Sequence, residues 1–162
     1  MDTQQSGFII NMYIAAWQLQ NKRFAELLEK LTDEQLDAET APGRNTGTYL
    51  LGHMVAVSDA MLKLMGFREK IYPELEEVFI KSPDKSGKAR PSAQDLRKYY
   101  HEVTNELNGF IDTLSPDEWL DRHMAVSEED FAKEPMRNKL NILISRTTHM
   151  ANHQGQMLFL QK

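Results

Sequence analysis

The segment Thr48–Gly66, TYLLGHMVAVSDAMLKLMG, carries apolar residues at alternating steps of three and four. This is the period of an amphipathic helix with one buried face. The apolar stripe consists of Leu50, Met54, Val57, Met61, Leu64 and Met65. Glycine commonly follows the last residue of a helix, and Gly66 stands at that position. The segment therefore predicts a helix from about Thr46 to Gly66, with His53 among apolar neighbours.

Three further segments have the same helical period, and no segment shows the sustained alternation of a strand. They span residues 8–31, about 93–114 and about 139–162. Their apolar positions are Ile10, Ile14, Trp17, Phe24, Leu27, Leu28 and Leu31 in the first, Leu96, Tyr100, Val103, Leu107, Phe110 and Leu114 in the second, and Leu140, Ile144, Thr147, Ala151 and Leu158 in the last. The sequence therefore predicts an all-α chain with four long helices.

The lengths of the connections indicate how these helices are arranged. The first and second are joined by a short linkage, which favours antiparallel neighbours. The second and third are separated by about 25 residues rich in Pro, Ser, Gly and Lys, enough to cross the bundle and to hold at most a short helix. We expect a four-helix bundle of up, down, down, up order. Thr32 with Gln35, and Ser115 with Glu118, have capping-box spacing and predict two additional helix starts.

Composition limits the class of protein. A chain of 162 residues fits one domain, residues 1–162, and 41% hydrophobic with 27% charged residues is ordinary for a globular protein. The net charge of −5, with scattered Lys and Arg, argues against a nucleic-acid partner. The absence of cysteine excludes disulfides and thiolate metal sites. With no signal-peptide pattern and no apolar run long enough to span a bilayer, we expect a cytoplasmic protein without a membrane partner.

Three histidines form the candidate metal site. His149 and His153 are four residues apart, so on a helix both imidazoles project from one face. A catalytic zinc-like ion needs about three protein ligands, and His53, in its apolar surroundings, is the leading third candidate. Each histidine taken alone also has an ordinary interpretation. His53 could be a hydrogen-bonded core residue, and the other two a solvated pair.

The two remaining histidines predict no chemistry. His101 begins the sequence HEVTN, in which Asn105 occupies the position of the second histidine of a zinc-protease motif, so that interpretation is rejected. His123 follows Arg122 in a loop-like segment and is expected at the surface.

Two segments carry a family resemblance. The stretch NTGTYLLGHMVAVSDAML resembles the second helix of the DinB-like superfamily, in which one metal-binding histidine follows a short lead. The stretch THMANHQGQMLFLQ resembles its last helix, with the pattern H-x-x-x-H-x-G-Q near the chain end. The resemblance implies that His53, His149 and His153 are the ligands of a divalent metal such as zinc or nickel. It also implies an up, down, down, up bundle that is frequently a homodimer.

The resemblance implies a class of reaction as well. Characterised members of the superfamily include S-transferases that use a low-molecular-weight thiol as cosubstrate, and a thiol-dependent isomerase. Gln156 follows His149 by seven residues, which returns it to within about 20° on the helix, so it could orient a ligand or a small-molecule substrate. Gly155 faces elsewhere and is expected to admit a neighbouring helix.

Three functions stay open from the residues alone. The first is a metal-dependent thiol transferase. The second is a non-catalytic helical bundle for dimerisation or small-ligand binding, and the third is a metal-dependent hydrolase, in which the ion lowers the pKa of bound water. The hydrolase differs from the transferase in needing no added thiol.

Overall fold

The computed structural model describes residues 3–161, and its regular structure is helical. Within those residues two isolated antiparallel bridges occur but no strand, which confirms the all-α prediction. None of the helices in this range combines the length and the apolarity needed to cross a membrane. The helices are α1 (Thr3–Lys30), α2 (Asp33–Asp37), α3 (Gly47–Leu64), α4 (Leu75–Phe79), α5 (Ala93–Ile111), α6 (Pro116–Trp119), α7 (Glu128–Lys133) and α8 (Lys139–Met157), and a 3-10 turn follows at Leu158–Leu160.

The central helix is α3, which contacts α2, α4, α5 and α8. Its predicted apolar stripe is buried except for the partly exposed Leu64, and residues outside that stripe, including Leu51 and Val55, are buried as well. A helix that is apolar on most sides is typical of the interior of a bundle. His53 is therefore fixed on an element that is held from several directions.

Helix starts follow the capping chemistry expected from the sequence. Both predicted capping boxes are present, at Thr32 with Gln35 and at Ser115 with Glu118. The three later long helices also have side-chain N-caps, each accepting from a backbone N–H three residues on: Thr46, Ser92 and Asn138. These caps satisfy backbone donors that a helix leaves unpaired at its start.

The long connection between α3 and α5 holds one short helix, α4, as predicted. Asp59 anchors its beginning: the buried carboxylate accepts hydrogen bonds from the backbone N–H groups of Ile71 and Tyr72, at 2.8 and 2.9 Å. Leu75 and Phe79 then bury the apolar face of α4. As a result, the end of α4 lies against the face of α3 that bears His53.

The predicted buried stripe of the last helix is wrong by one register. Buried positions on α8 are Leu143, Met150 and Met157, whereas Ala151 and Leu158 are exposed. The helix is rotated so that its histidine-bearing face turns inward beside Met150. Hydrophobic periodicity misjudges such a helix because it assigns polar histidines to the outside.

One other expectation for the C-terminal half is wrong. His123 is buried, at 9% exposure, and its Nδ1 accepts a hydrogen bond from the backbone N–H of Ala125. The polar segment after it contains the short helix α7, because Ser127 caps its start and acidic residues occupy its first turn.

Candidate metal centre

The side chain of His53 is positioned by the end of α4. Its Nδ1 lies 2.7 Å from the carbonyl oxygen of Phe79. A carbonyl only accepts, so Nδ1 carries the proton and donates it. The other ring nitrogen, Nε2, is consequently a free lone pair that points away from Phe79 and towards α8.

Helix α8 brings the other two imidazoles to the same place. The Nε2 atom of His149 lies 3.3 Å from Nε2 of His53 and 3.0 Å from Nε2 of His153. Ligand atoms from all three rings lie within 4.8 Å of one another. Among the residues that the structure describes, this is the one such cluster of three or more histidine and carboxylate side chains.

Gln156 fixes the third ring. The Nδ1 atom of His153 lies 2.8 Å from Oε1 of Gln156 and donates to it, so Nε2 of His153 is again a lone pair. Gln156 is thus an acceptor that sets the tautomer of a candidate ligand, the role that partners of metal-binding histidines usually have. The expectation for Gly155 is wrong within the chain, because no heavy atom lies within 4 Å of where its Cβ would be.

Two of the three imidazoles, those of His149 and His53, have a pKa below the ordinary value of a histidine. Burial, then the neighbouring rings of His153 and His53 and the charge of Arg146, lower the pKa of His149 to about 4. Burial also lowers the pKa of His53, against the opposing hydrogen bond to Phe79. Metal binding requires unprotonated imidazoles, so these shifts keep these two rings available to a metal ion.

The same shifts predict how the metal-free protein responds to acid. An unfolded chain protonates its histidines near pH 6.5, whereas folded His149 resists protonation down to about 4. Stability should therefore be unaffected by this group above about pH 7 and fall as the pH drops from 6.5 towards 4. Urea unfolding at several pH values, with a chelator present, measures this. The variant His149→Gln should lose less stability over that interval; an identical loss would contradict the assignment.

The residues fit a divalent cation. Two nitrogens with fixed lone pairs and a third imidazole converge, and no protein cation lies between them. An ion with bonds of about 2.0–2.1 Å to tetrahedrally placed nitrogens requires separations of about 3.3 Å between them. The separations of 3.0 and 3.3 Å are close to that value. Three like lone pairs at this distance repel each other unless a cation or protons lie between them.

A cavity lies beside Gln156. Its volume is about 530 Å³, and its wall consists of Thr40, Ala41, Gly43, Arg44, Asn45, Gln156 and Phe159. A cavity of this size accommodates a small organic molecule. Another, of about 500 Å³, lies near Met65 and Phe131, and neither of these two cavities is lined by any of the three histidines.

Two parts of the site were not predicted from the sequence. The Phe79 carbonyl could not be, because any backbone oxygen can accept and only the folded connection selects this one. Arg146 had a detectable signal, because it precedes His149 by three residues and His153 by seven and so shares their face of the helix.

Comparisons with known proteins agree with the helical fold. A family model described as the DinB superfamily matches residues 16–157. A DinB-like protein from Bacillus cereus ATCC 10987 is 21% identical, with a TM-score of 0.65, over 91% of this chain and 87% of that one. A conserved protein from Enterococcus faecalis is 16% identical, with a TM-score of 0.64, over 93% and 94%. At these identities the likeness establishes the fold alone. No functionally curated protein matches the chain.

Proposed function

The chain belongs to the DinB superfamily, and from that premise we propose that it is a divalent-metal protein with His53, His149 and His153 as ligands. The observation that carries the proposal is the convergence of their Nε2 atoms, with separations of 3.0 and 3.3 Å. All three donors are imidazoles and the chain has no cysteine. Imidazole ligands suit zinc and nickel, the metals we propose.

We propose further that the protein transfers a low-molecular-weight thiol to a small electrophilic substrate. A divalent ion with three protein ligands retains an open position and favours the thiolate form of a thiol placed there. The chain contributes the orientation of the rings: Phe79 holds His53 and Gln156 holds His153. Because Gln156 also lines the cavity of about 530 Å³, that cavity is the proposed place for the organic substrate.

The proposed helix order is up, down, down, up, as the resemblance implies. It is supported by side-chain contacts that join the long helices. Residues later in α1 contact residues earlier in α5, which fits opposite directions, and the later end of α8 lies against the earlier part of α3. The contacts are Trp17 with Asn108, Asn21 with Tyr100, Leu28 with Arg97, His53 with His149, and Gly47 with Leu160.

We also propose that two copies associate as a homodimer. The support is an exposed apolar face on α1, formed by Phe8, Ile9, Met12, Tyr13 and Leu19, with Phe8 at 69% exposure. Apolar residues grouped on one helix face commonly mark an interaction surface. Light scattering, which gives the mass of the particle in solution, tests the association.

The metal proposal predicts about one zinc or nickel ion per chain in protein purified without an affinity tag or chelator. Elemental analysis measures the content. Added metal should raise the melting temperature, because an ion that binds only the folded state stabilises it by mass action. If the protein contains no metal and neither ion raises its melting temperature, the metal proposal is wrong.

The thiol proposal predicts that the metal-loaded protein conjugates a small thiol to a chromogenic aryl halide. The thiol sulfur forms a bond to the ring carbon, halide leaves, and the thiol proton passes to solvent. The variant His53→Ala should lose both the conjugating activity and the bound metal. Hydrolysis of a chromogenic ester without added thiol would favour a hydrolase. A loaded protein inactive in both assays would favour a non-catalytic bundle.

A further inference from the structure

Arg146 is a partly buried cation next to the histidine cluster. It lies one turn before His149 on α8, and its charge contributes to lowering the pKa of both His149 and His53. Its Nε atom is buried and has no hydrogen-bond partner among the described residues. Leaving a buried donor of a charged group unpaired is costly, so Arg146 is placed to bind an acceptor from outside the chain.

No carboxylate compensates this charge. Within residues 3–161 no ion pair involves Arg146, and the only resolved influence on its pKa is burial, which lowers it. Most other arginines differ: Arg97, for example, donates to Asp33 and to two backbone carbonyls. With neutral imidazoles and a divalent ion, the neighbourhood of Arg146 would carry excess positive charge.

A second buried nitrogen without a partner lies one turn further along the same helix. The Nδ1 atom of His149 is buried and has no partner in the described part of the chain. When Nε2 of His149 faces the cluster as a ligand, Nδ1 carries the ring proton and must donate. His149 and Arg146 are three residues apart on one helix, so these N–H groups lie on the same side, about one turn apart.

We propose that the site takes a substrate bearing an oxyanion, a carboxylate or a phosphate, which Arg146 binds beside the histidine cluster with help from Nδ1–H of His149. The planar guanidinium is suited to such groups because it can donate two parallel hydrogen bonds. This inference rests on the proposed function in treating the cluster as the reaction site, and it narrows the substrate class of that site.

The test is a titration of metal-free protein with inorganic phosphate and, separately, with acetate, followed by NMR. The side-chain Nε–H signal of Arg146 should shift saturably with at least one anion. The variant Arg146→Met should bind that anion at least about tenfold more weakly, because charge-assisted hydrogen bonds are lost. The anion that binds more tightly shows whether the substrate group is a phosphate or a carboxylate.

The matched control is Arg23→Met, which removes an exposed arginine of α1 and should leave the affinity unchanged. Arg146→Lys keeps the charge without the forked donor and should bind with intermediate affinity, which guards against a folding defect in the methionine variant. Unchanged affinity in Arg146→Met, or no saturable shift at Arg146 with either anion, would overturn the inference. If the protein fails to take up zinc but binds an anion through Arg146, the anion inference holds and the metal proposal is wrong.

Discussion

Replacing His149 with alanine is expected to lower the affinity for zinc by at least about 100-fold. Loss of a hydrogen-bond partner behind a metal ligand already costs about 10–100-fold, and this change removes a ligand itself. His149 should be the most sensitive of the three positions, because its Nε2 lies close to both other rings, at 3.3 and 3.0 Å. Competition with a chromophoric zinc chelator gives the affinity.

The matched control is His101→Ala, on the exposed face of α5. It removes an imidazole from the same chain without touching the cluster, so zinc affinity should be unchanged. Circular dichroism establishes that both variants are folded. Equal zinc affinity in His149→Ala and the parent protein would show that the ion, if any, binds elsewhere.

Part of the arrangement of the three histidines follows from the helix period. His149 and His153 share a face by spacing alone, and His53 stood in an apolar segment that had to be buried. The family resemblance joined the two segments, and the structure brings all three rings within 4.8 Å. That they hold a metal remains a proposal.

The rotation of α8 could not be obtained from its own sequence. Counting Ala151 and Leu158 as interior placed the helix about one residue out of register, because the inward face of this helix includes polar histidines. The half-buried position of His149 beside Met150 is decided by the packing of α8 against α1 and α3. The hydrophobic pattern of a single segment does not depend on which helices pack against it, so it cannot predict this contact.

The hydrogen-bond partners of the candidate ligands could not be predicted from the sequence, for a different reason. The acceptor for His53 is a backbone carbonyl 26 residues away in sequence. Its position depends on how the connection between α3 and α5 folds, through the contacts of Asp59 and the burial of Phe79. Composition identified that segment as a loop with a short helix, but not where its carbonyls point.

Replacing Gly52 with alanine is expected to destabilise the protein by roughly 1–2 kcal/mol and to weaken metal binding at least about tenfold. A Cβ on Gly52 would overlap atoms of the Phe79 ring, which is fully buried and cannot swing into solvent. Overpacking of this kind costs about 1–3 kcal/mol, against a gain of up to about 1 kcal/mol for alanine over glycine in a helix. Displacing Phe79 also moves the carbonyl that holds His53, hence the loss of affinity.

The control for backbone effects is Gly109→Ala on α5, where no heavy atom lies within 4 Å of the added Cβ. That change should stabilise the protein by up to about 1 kcal/mol, because only the helix propensity changes. Adding Phe79→Leu to Gly52→Ala should recover part of the lost stability, since a smaller side chain makes room. Urea unfolding of the parent protein, Gly52→Ala, Phe79→Leu and the double variant gives the coupling energy between the two positions. If Gly52→Ala were as stable as Gly109→Ala, or lost stability while zinc affinity stayed intact, α4 would not be what orients His53. The packing of Gly52 against Phe79 would then stabilise the fold without setting the orientation of His53.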